Sequence, residues 1–166
     1  MGRKAFTLIE LVVTIAVLAV LAWLGLAATL SAVDTWGFLT QRKEILIDGS
    51  AAMDRMTREI RETKNSTSVT AANSTTFAFT DINNNSITFT INSGVINITE
   101  NGATNGLSSN VTGLTFTYYD SNNSVIASPI VAPSATNIKR VRINITLSKG
   151  TSRPVNLESD VWPRNL

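Results

Sequence analysis

The sequence predicts an α+β protein in which one long N-terminal helix packs on an antiparallel β-sheet domain. Two features predict the helix: an uncharged apolar run over residues 11–33 and an amphipathic stretch that continues to about Lys64. A third feature predicts the sheet, because apolar residues alternate with Ser, Thr and Asn in short runs after Asn65. One helix followed by a series of strands is typical of the α+β class.

The apolar run is long enough to cross a membrane. As a helix rising ~1.5 Å per residue, residues 11–33 would extend roughly 34 Å, which exceeds a hydrocarbon core of ~30 Å. Arg3 and Lys4 precede the run, and the next cation is Arg42. By the positive-inside rule, this asymmetry places the N-terminus in the cytoplasm. We therefore predict a single-pass protein whose remaining chain lies outside the membrane.

Glu10 is a carboxylate at the start of this apolar run, four residues after Phe6. A charge at the bilayer centre costs at least ~2.5–3.5 kcal/mol on insertion scales, so such a group usually has a partner. No residue nearby in the span can pair with Glu10. One candidate cation is the amine of a new N-terminus, made by cleavage between Ala5 and Phe6 and supplied by a neighbouring subunit.

The start of the chain resembles the class III leader of type IV pilins and type II secretion pseudopilins, in the run Arg3-Lys4-Ala5-Phe6-Thr7-Leu8-Ile9-Glu10-Leu11-Val12-Val13. The resemblance implies that a prepilin peptidase cleaves between Ala5 and Phe6 and methylates the Phe6 amine. It also implies that Glu10 neutralises that amine in the assembled filament. The family usually has Gly before the cleavage site, where this sequence has Ala5. The alternative is an ordinary signal anchor with an incidental Glu.

The resemblance divides the chain into three parts. Residues 1–5 would be the prepilin leader, residues 6–33 the transmembrane and filament-assembly helix, and residues 34–166 an extracytoplasmic α+β pilin-like domain. The implied location is the cell inner membrane, with the C-terminal domain in the periplasm. The implied partners are other pilins or pseudopilins of the same filament, the prepilin peptidase, the inner-membrane assembly platform and the lipid bilayer.

Beyond the span, an apolar stripe recurs every seven residues along the predicted helix. We expect this stripe to dock on the chain's own sheet, with a free coiled-coil seam as the alternative. Gly49 and Ser50 weaken the second apolar row that a coiled coil needs. The stripe consists of Leu39, Leu46, Met53 and Ile60, with Ala52 and Met56 on the same side.

Alternating apolar residues mark the strands, and Asn-rich or Asp-rich segments mark the turns between them. We expect turns at residues 81–85 and 120–123 and a looser loop at residues 101–110. The residues expected to face the core are Phe77, Phe79, Ile87, Phe89, Ile91, Ile96, Ile98, Leu114, Phe116, Tyr118, Val141, Ile143, Ile145 and Leu147.

The composition argues against catalysis. The sequence contains no His and no Cys, which excludes Ser/His and Cys/His catalysis and imidazole or thiolate metal sites. Its carboxylates are scattered, so a catalytic pair is not expected. We therefore predict a protein that is not an enzyme and that uses no cofactor and no metal.

One segment resembles the opening of an EF-hand loop, namely Asp81-x-Asn83-x-Asn85. Ser86 replaces the turn glycine of that loop, and Asn92 stands where its bidentate glutamate belongs. A hairpin turn is the expected structure, and calcium binding is the alternative.

The charge pattern does not favour nucleic-acid binding. Removal of Arg3 and Lys4 with the leader reduces the 14 Lys and Arg residues to 12, which equals the 12 Asp and Glu residues. A basic cluster remains at Lys139, Arg140 and Arg142, for which we expect a solvated or edge-protecting strand face. DNA binding is the alternative, and the sequence shows no aromatic platform beside the cluster.

A weaker resemblance extends over the C-terminal domain, in residues 53–61, 114–120, 138–143 and 163–166. These segments are similar to the J-type pseudopilin of type II secretion and to the W-type minor pilin. They imply a minor pseudopilin that acts in filament initiation or at the tip for protein secretion. The alternatives are a minor pilin of a type IV or DNA-uptake pilus and a membrane-anchored ligand-binding module.

Overall fold

The computed structural model describes residues 7–130, 137–150 and 153–166. Helix α1 spans Leu8–Arg61, and nine strands follow it in these residues. The chain divides into two compact units, Met1–Thr40 and Gln41–Leu166, and α1 contributes to both. One long N-terminal helix packed against antiparallel sheets confirms the predicted α+β class.

The first unit is helical from Leu8 onward, and its apolar side chains are exposed along the whole of residues 11–33. By length and composition, this helix could cross a membrane. The α-helix continues without interruption through Gly25 and Gly37. Exposed apolar side chains all round a helix are typical of a segment whose environment is lipid or other apolar helices.

The second unit contains two antiparallel sheets. A 3₁₀ turn at Ser66–Ser68 precedes the first strand. The five-stranded sheet has the order β1-β2-β3-β4-β5, formed by Val69–Ala72, Phe77–Thr80, Ser86–Asn92, Val95–Glu100 and Ala103–Ser108. The four-stranded sheet has the order β7-β6-β8-β9, with β6 at Val111–Tyr119, β7 at Val125–Ile126, β8 at Arg140–Leu147 and β9 at Val155–Val161.

The apolar residues at every second position of the strands were predicted to face the core, and this prediction is confirmed. All of the alternating residues predicted to face inward are buried, except Ile91, which is half-buried. The looser loop predicted at residues 101–110 is wrong, because most of it forms β5. The first four residues of β5 are exposed on both faces, so they carry no alternating pattern. These residues form a strand because they pair with β4.

The buried stripe of α1 differs from the predicted repeat of seven. Leu39 is exposed and Leu46 is only half-buried, so the first half of the predicted stripe is wrong. Buried positions instead advance by three or four residues, as expected for 3.6 residues per turn. They are Ile45, Gly49, Ala52, Met53, Met56, Glu59 and Ile60.

Gly49 allows α1 to lie close to the sheet. A Cβ atom added there would lie 2.7 Å from Cδ1 of Leu147 and 2.9 Å from Cδ1 of Leu157. Both distances are shorter than normal van der Waals contact. Gly49 therefore does not merely weaken an apolar row, as the sequence indicated, because its missing side chain makes room for two leucines of β8 and β9.

Phe77 joins the two sheets in one core. Its ring centroid lies 5.2 Å from that of Phe79 in the same strand, 6.0 Å from Phe116 and 5.7 Å from Tyr118, both in β6. The Tyr118 hydroxyl donates a hydrogen bond to the Asn73 carbonyl at 2.7 Å. Burial raises the pKa of Tyr118, so this hydroxyl stays a donor. The aromatic contacts and this bond fix the position of β6 against the first sheet.

Candidate functional site

Glu10 lies in the first turn of α1, where the backbone N–H of Glu10 donates to the Thr7 carbonyl at 3.1 Å. The carboxylate is exposed, and a negative charge near a helix N-terminus is favoured by the helix dipole. Among residues 7–130, 137–150 and 153–166, no cation forms an ion pair with it. Its predicted pairing with a neighbour's amine stays a prediction.

The predicted processing site, Ala5 and Phe6, lies outside the described residues. Leu8 and Ile9, which follow it, are 82% and 69% exposed. The apolar surface beside Glu10 is therefore open to a neighbouring helix or to lipid. This arrangement combines one accessible carboxylate with an apolar helix surface, which suits association between helices in a membrane.

Arg140 and Arg142 of the predicted basic cluster are paired with acidic residues of β9. Asp160 accepts from Arg140 Nη1 at 2.8 Å and from Arg142 Nε at 2.9 Å, and Glu158 lies 3.2 Å from Arg142. The edge-protecting interpretation is wrong, since β8 lies between β6 and β9. Sequence analysis missed both carboxylates, although their spacing of two residues places them on one face of a strand.

An aromatic side chain also lies beside this cluster, contrary to the sequence-based expectation. The Arg140 guanidinium is stacked over the Tyr119 ring at 3.7 Å from its centroid. Tyr119 and Arg140 are direct partners across β6 and β8. The ring is thus engaged by the arginine through a cation–π contact. Arg140 and Arg142 are thus paired internally, whereas Lys139 is exposed, as expected for a solvated position. Trp162, whose ring centroid lies 6.0 Å from the Arg140 guanidinium, is 60% exposed.

Asp160 gives the second unit a pH-dependent contribution to stability. Hydrogen bonds, chiefly from Arg142 and then from Arg140, hold the pKa of the Asp160 carboxyl below its usual value. A lowered folded pKa stabilises the fold above the ordinary carboxyl pKa, and this contribution disappears as the pH falls through the folded pKa. The network should therefore weaken only in strong acid.

We expect Asp160→Asn to lower the free energy of unfolding at pH 7 by about 1–2 kcal/mol, because it leaves the buried Arg140 guanidinium without its charge partner, while Arg142 keeps Glu158. Urea unfolding of the full chain in detergent at neutral and strongly acidic pH measures this. The difference from the unmodified chain should shrink as the pH falls below the folded pKa. The control is Asp48→Asn, an exposed helix position without an ion pair in the described residues. Equal losses in both variants would contradict the assigned role of Asp160.

The segment with EF-hand rhythm forms the expected hairpin turn between β2 and β3. The Asp81 carboxylate accepts hydrogen bonds from the Asn83 N–H at 2.9 Å, the Asn85 N–H at 2.7 Å and the Asn85 side-chain amide at 2.9 Å. The Asp81 carboxylate therefore stabilises the turn by accepting these three hydrogen bonds. In the part of the chain that the structure describes, no group of three or more acidic residues is placed to hold a metal ion.

Comparison with known proteins identifies the N-terminal segment. Residues 1–26 match the family described as the prokaryotic N-terminal methylation motif. No curated protein matched the chain. The motif indicates a type IV pilin-like or pseudopilin protein, which implies processing by a prepilin peptidase and assembly with other pilins. Together with the apolar helix, it indicates membrane anchoring.

Proposed function

We propose that the chain is a minor pseudopilin, a non-enzymatic structural subunit of a type II secretion pseudopilus. It assembles through its N-terminal helix and acts in filament initiation or at the tip during protein secretion. The methylation motif at residues 1–26, which overlaps the start of α1 at Leu8, carries the pilin-like part of this proposal. The similarity of residues 53–61, 114–120, 138–143 and 163–166 to the J-type pseudopilin supports the choice of a minor pseudopilin. The exposed apolar surface of residues 11–33 supports it, because such a surface requires lipid or neighbouring helices.

The proposed topology follows from the charges around the span. Arg3 and Lys4 hold the N-terminus in the cytoplasm before cleavage, and the second unit lies in the periplasm, anchored in the inner membrane by α1. After cleavage, Glu10 pairs with the methylated Phe6 amine of a neighbouring subunit. The assembly platform and the peptidase act on the chain from the membrane.

A minor pilin of a type IV pilus is the second candidate, because it would carry the same N-terminal motif. The DNA-uptake form of this candidate receives less support, since Arg140 and Arg142 are paired with Asp160 and Glu158. A membrane-anchored ligand-binding module would require the second unit to act without other subunits. Co-purification with other filament subunits distinguishes this module from both filament candidates.

Intact-mass analysis of membrane-extracted protein tests the proposal. We expect a mature chain that begins at Phe6, lacks residues 1–5 and carries one methyl group on its amine, provided that the cells contain a prepilin peptidase. Ala5→Gly is the matched variant, because it restores the residue usual before the cleavage site. Retention of residues 1–5 by both proteins would overturn the pilin-like proposal. Cleavage of Ala5→Gly alone would identify Ala5 as the obstacle.

A further inference from the structure

An open groove lies between the C-terminal end of α1, β9 and the end of the chain. It has a volume of about 460 Å³ and is lined mainly by polar side chains. Volumes of this order suit a few side chains of a bound partner. The lining residues are Asp54, Thr57, Arg58, Arg61, Glu62, Ser159 and Arg164, and we call this the arginine groove.

Its three arginines, Arg58, Arg61 and Arg164, are exposed and form no ion pair with any residue that the structure describes. Three other arginines of the second unit, Arg55, Arg140 and Arg142, form ion pairs with carboxylates, whereas Arg42 forms none with the residues that the structure describes. Arg55, for example, lies 2.8 Å from Glu59 on the same helix. Each guanidinium has five N–H donors arranged to bind carboxylate oxygens. The groove therefore presents positively charged N–H donors that form no ion pair with the described residues.

Two hydrogen bonds hold the groove together. The Arg164 backbone N–H donates to the Arg61 carbonyl at 3.2 Å, and the Asn165 side-chain amide donates to the Thr63 carbonyl at 3.1 Å. They attach the end of the chain to the last turn of α1, so Arg164 stays beside the two helical arginines. The helix dipole favours cations at this end, but it uses none of their side-chain donors. These bonds hold the backbone of Arg164 beside α1, and the three arginines line one groove.

We propose that the arginine groove binds an acidic segment of a partner polypeptide through Arg58, Arg61 and Arg164. This inference rests on the proposed function, in which the partner is another subunit of the same filament. Asp54 and Glu62 also line the groove, so its charge is mixed. A polypeptide can place a carboxylate on each arginine and avoid these two acids. A nucleic acid, with its continuous row of phosphates, meets repulsion from them.

Fluorescence anisotropy with a labelled ten-residue peptide of alternating Glu and Ser tests the groove, using the full chain in mild detergent. We expect Arg58→Ala and Arg164→Ala each to raise Kd about tenfold, because a hydrogen bond between charged groups contributes about that factor. Arg42→Ala is the matched control, since Arg42 is an exposed arginine of the same helix outside the groove. It should leave Kd unchanged within about twofold. Near-UV circular dichroism verifies that each variant is folded.

A single-stranded oligonucleotide of the same length provides the second probe. We expect it to bind more weakly than the peptide at an ionic strength of ~0.15 M. Tighter binding of the oligonucleotide, equal losses in the control, or no peptide binding would each overturn the proposal. The assay needs neither partner subunits nor cleavage. Its failure therefore leaves the pseudopilin assignment intact, and failure of processing leaves the groove testable.

Discussion

Ile60→Asp is expected to unfold the second unit. Ile60 is completely buried at the centre of the core that α1 shares with both sheets. The substitution removes an apolar side chain and places an unpaired carboxylate in the core. Together these changes should lower the free energy of unfolding by about 4 kcal/mol or more, a large part of the 5–15 kcal/mol typical of a domain. Near-UV circular dichroism and urea unfolding of the full chain in detergent measure the loss.

Ile47→Asp is the matched control, because Ile47 lies on the same helix and is 57% exposed. The same chemical change there should shift the free energy of unfolding by no more than about 0.5 kcal/mol. Similar urea midpoints for the two variants would show that the assigned buried face of α1 is incorrect.

Glu10→Leu is expected to impair co-assembly and leave membrane insertion and folding intact. Insertion should become easier, because leucine removes the cost of placing a carboxylate in the apolar run. The substitution removes the attraction between this carboxylate and the N-terminal amine of a neighbouring subunit. That attraction is strong because the membrane interior has a low dielectric constant. Co-purification of tagged subunits after mild detergent extraction should fall at least about tenfold, as for the loss of one charged hydrogen bond.

The matched control for this experiment is Glu44→Leu. Glu44 is an exposed helix residue whose ion pair with Lys149 is also exposed, so its loss should have little effect. Undiminished recovery of partner subunits with Glu10→Leu would contradict the role assigned to Glu10. Loss of the variant from the membrane fraction would contradict the claim that Glu10 acts only between subunits.

The predictability of each element depended on whether its residues had one buried face. One face of strand β8 is buried along its length and the other is partly exposed. The alternation of Val141, Ile143 and Ile145 therefore identified the strand and the face that packs on the core. Strand β5 lies at a sheet edge with four exposed residues, and only its pairing with β4 determines it. Exposure on both faces removes the pattern that sequence analysis uses.

The candidate site was predictable only in its local parts. Glu10 and its apolar surroundings are contiguous in sequence, so the motif was visible there. The pairing of Arg140 with Asp160 depends on the register between β8 and β9, which a single sequence does not specify. The role of Gly49 likewise depends on a contact that the sequence does not show, namely the close approach of two leucines of the sheet to the helix. Tertiary contacts of this kind decide the role of a residue whose type alone is ambiguous.

The order of strands in the five-stranded sheet has a kinetic consequence for the folding of the second unit. Each of β1 to β5 pairs with the strand next to it in sequence, so the sheet consists of successive hairpins with short loops. Closing short loops loses little chain entropy, which favours fast folding. Each hairpin can therefore close as soon as its second strand is available. The face of α1 around Gly49, in contrast, packs on Leu147 and Leu157 of the last two strands, so it stays uncovered until β8 and β9 have formed. This late step is the stage at which aggregation would compete most strongly with folding.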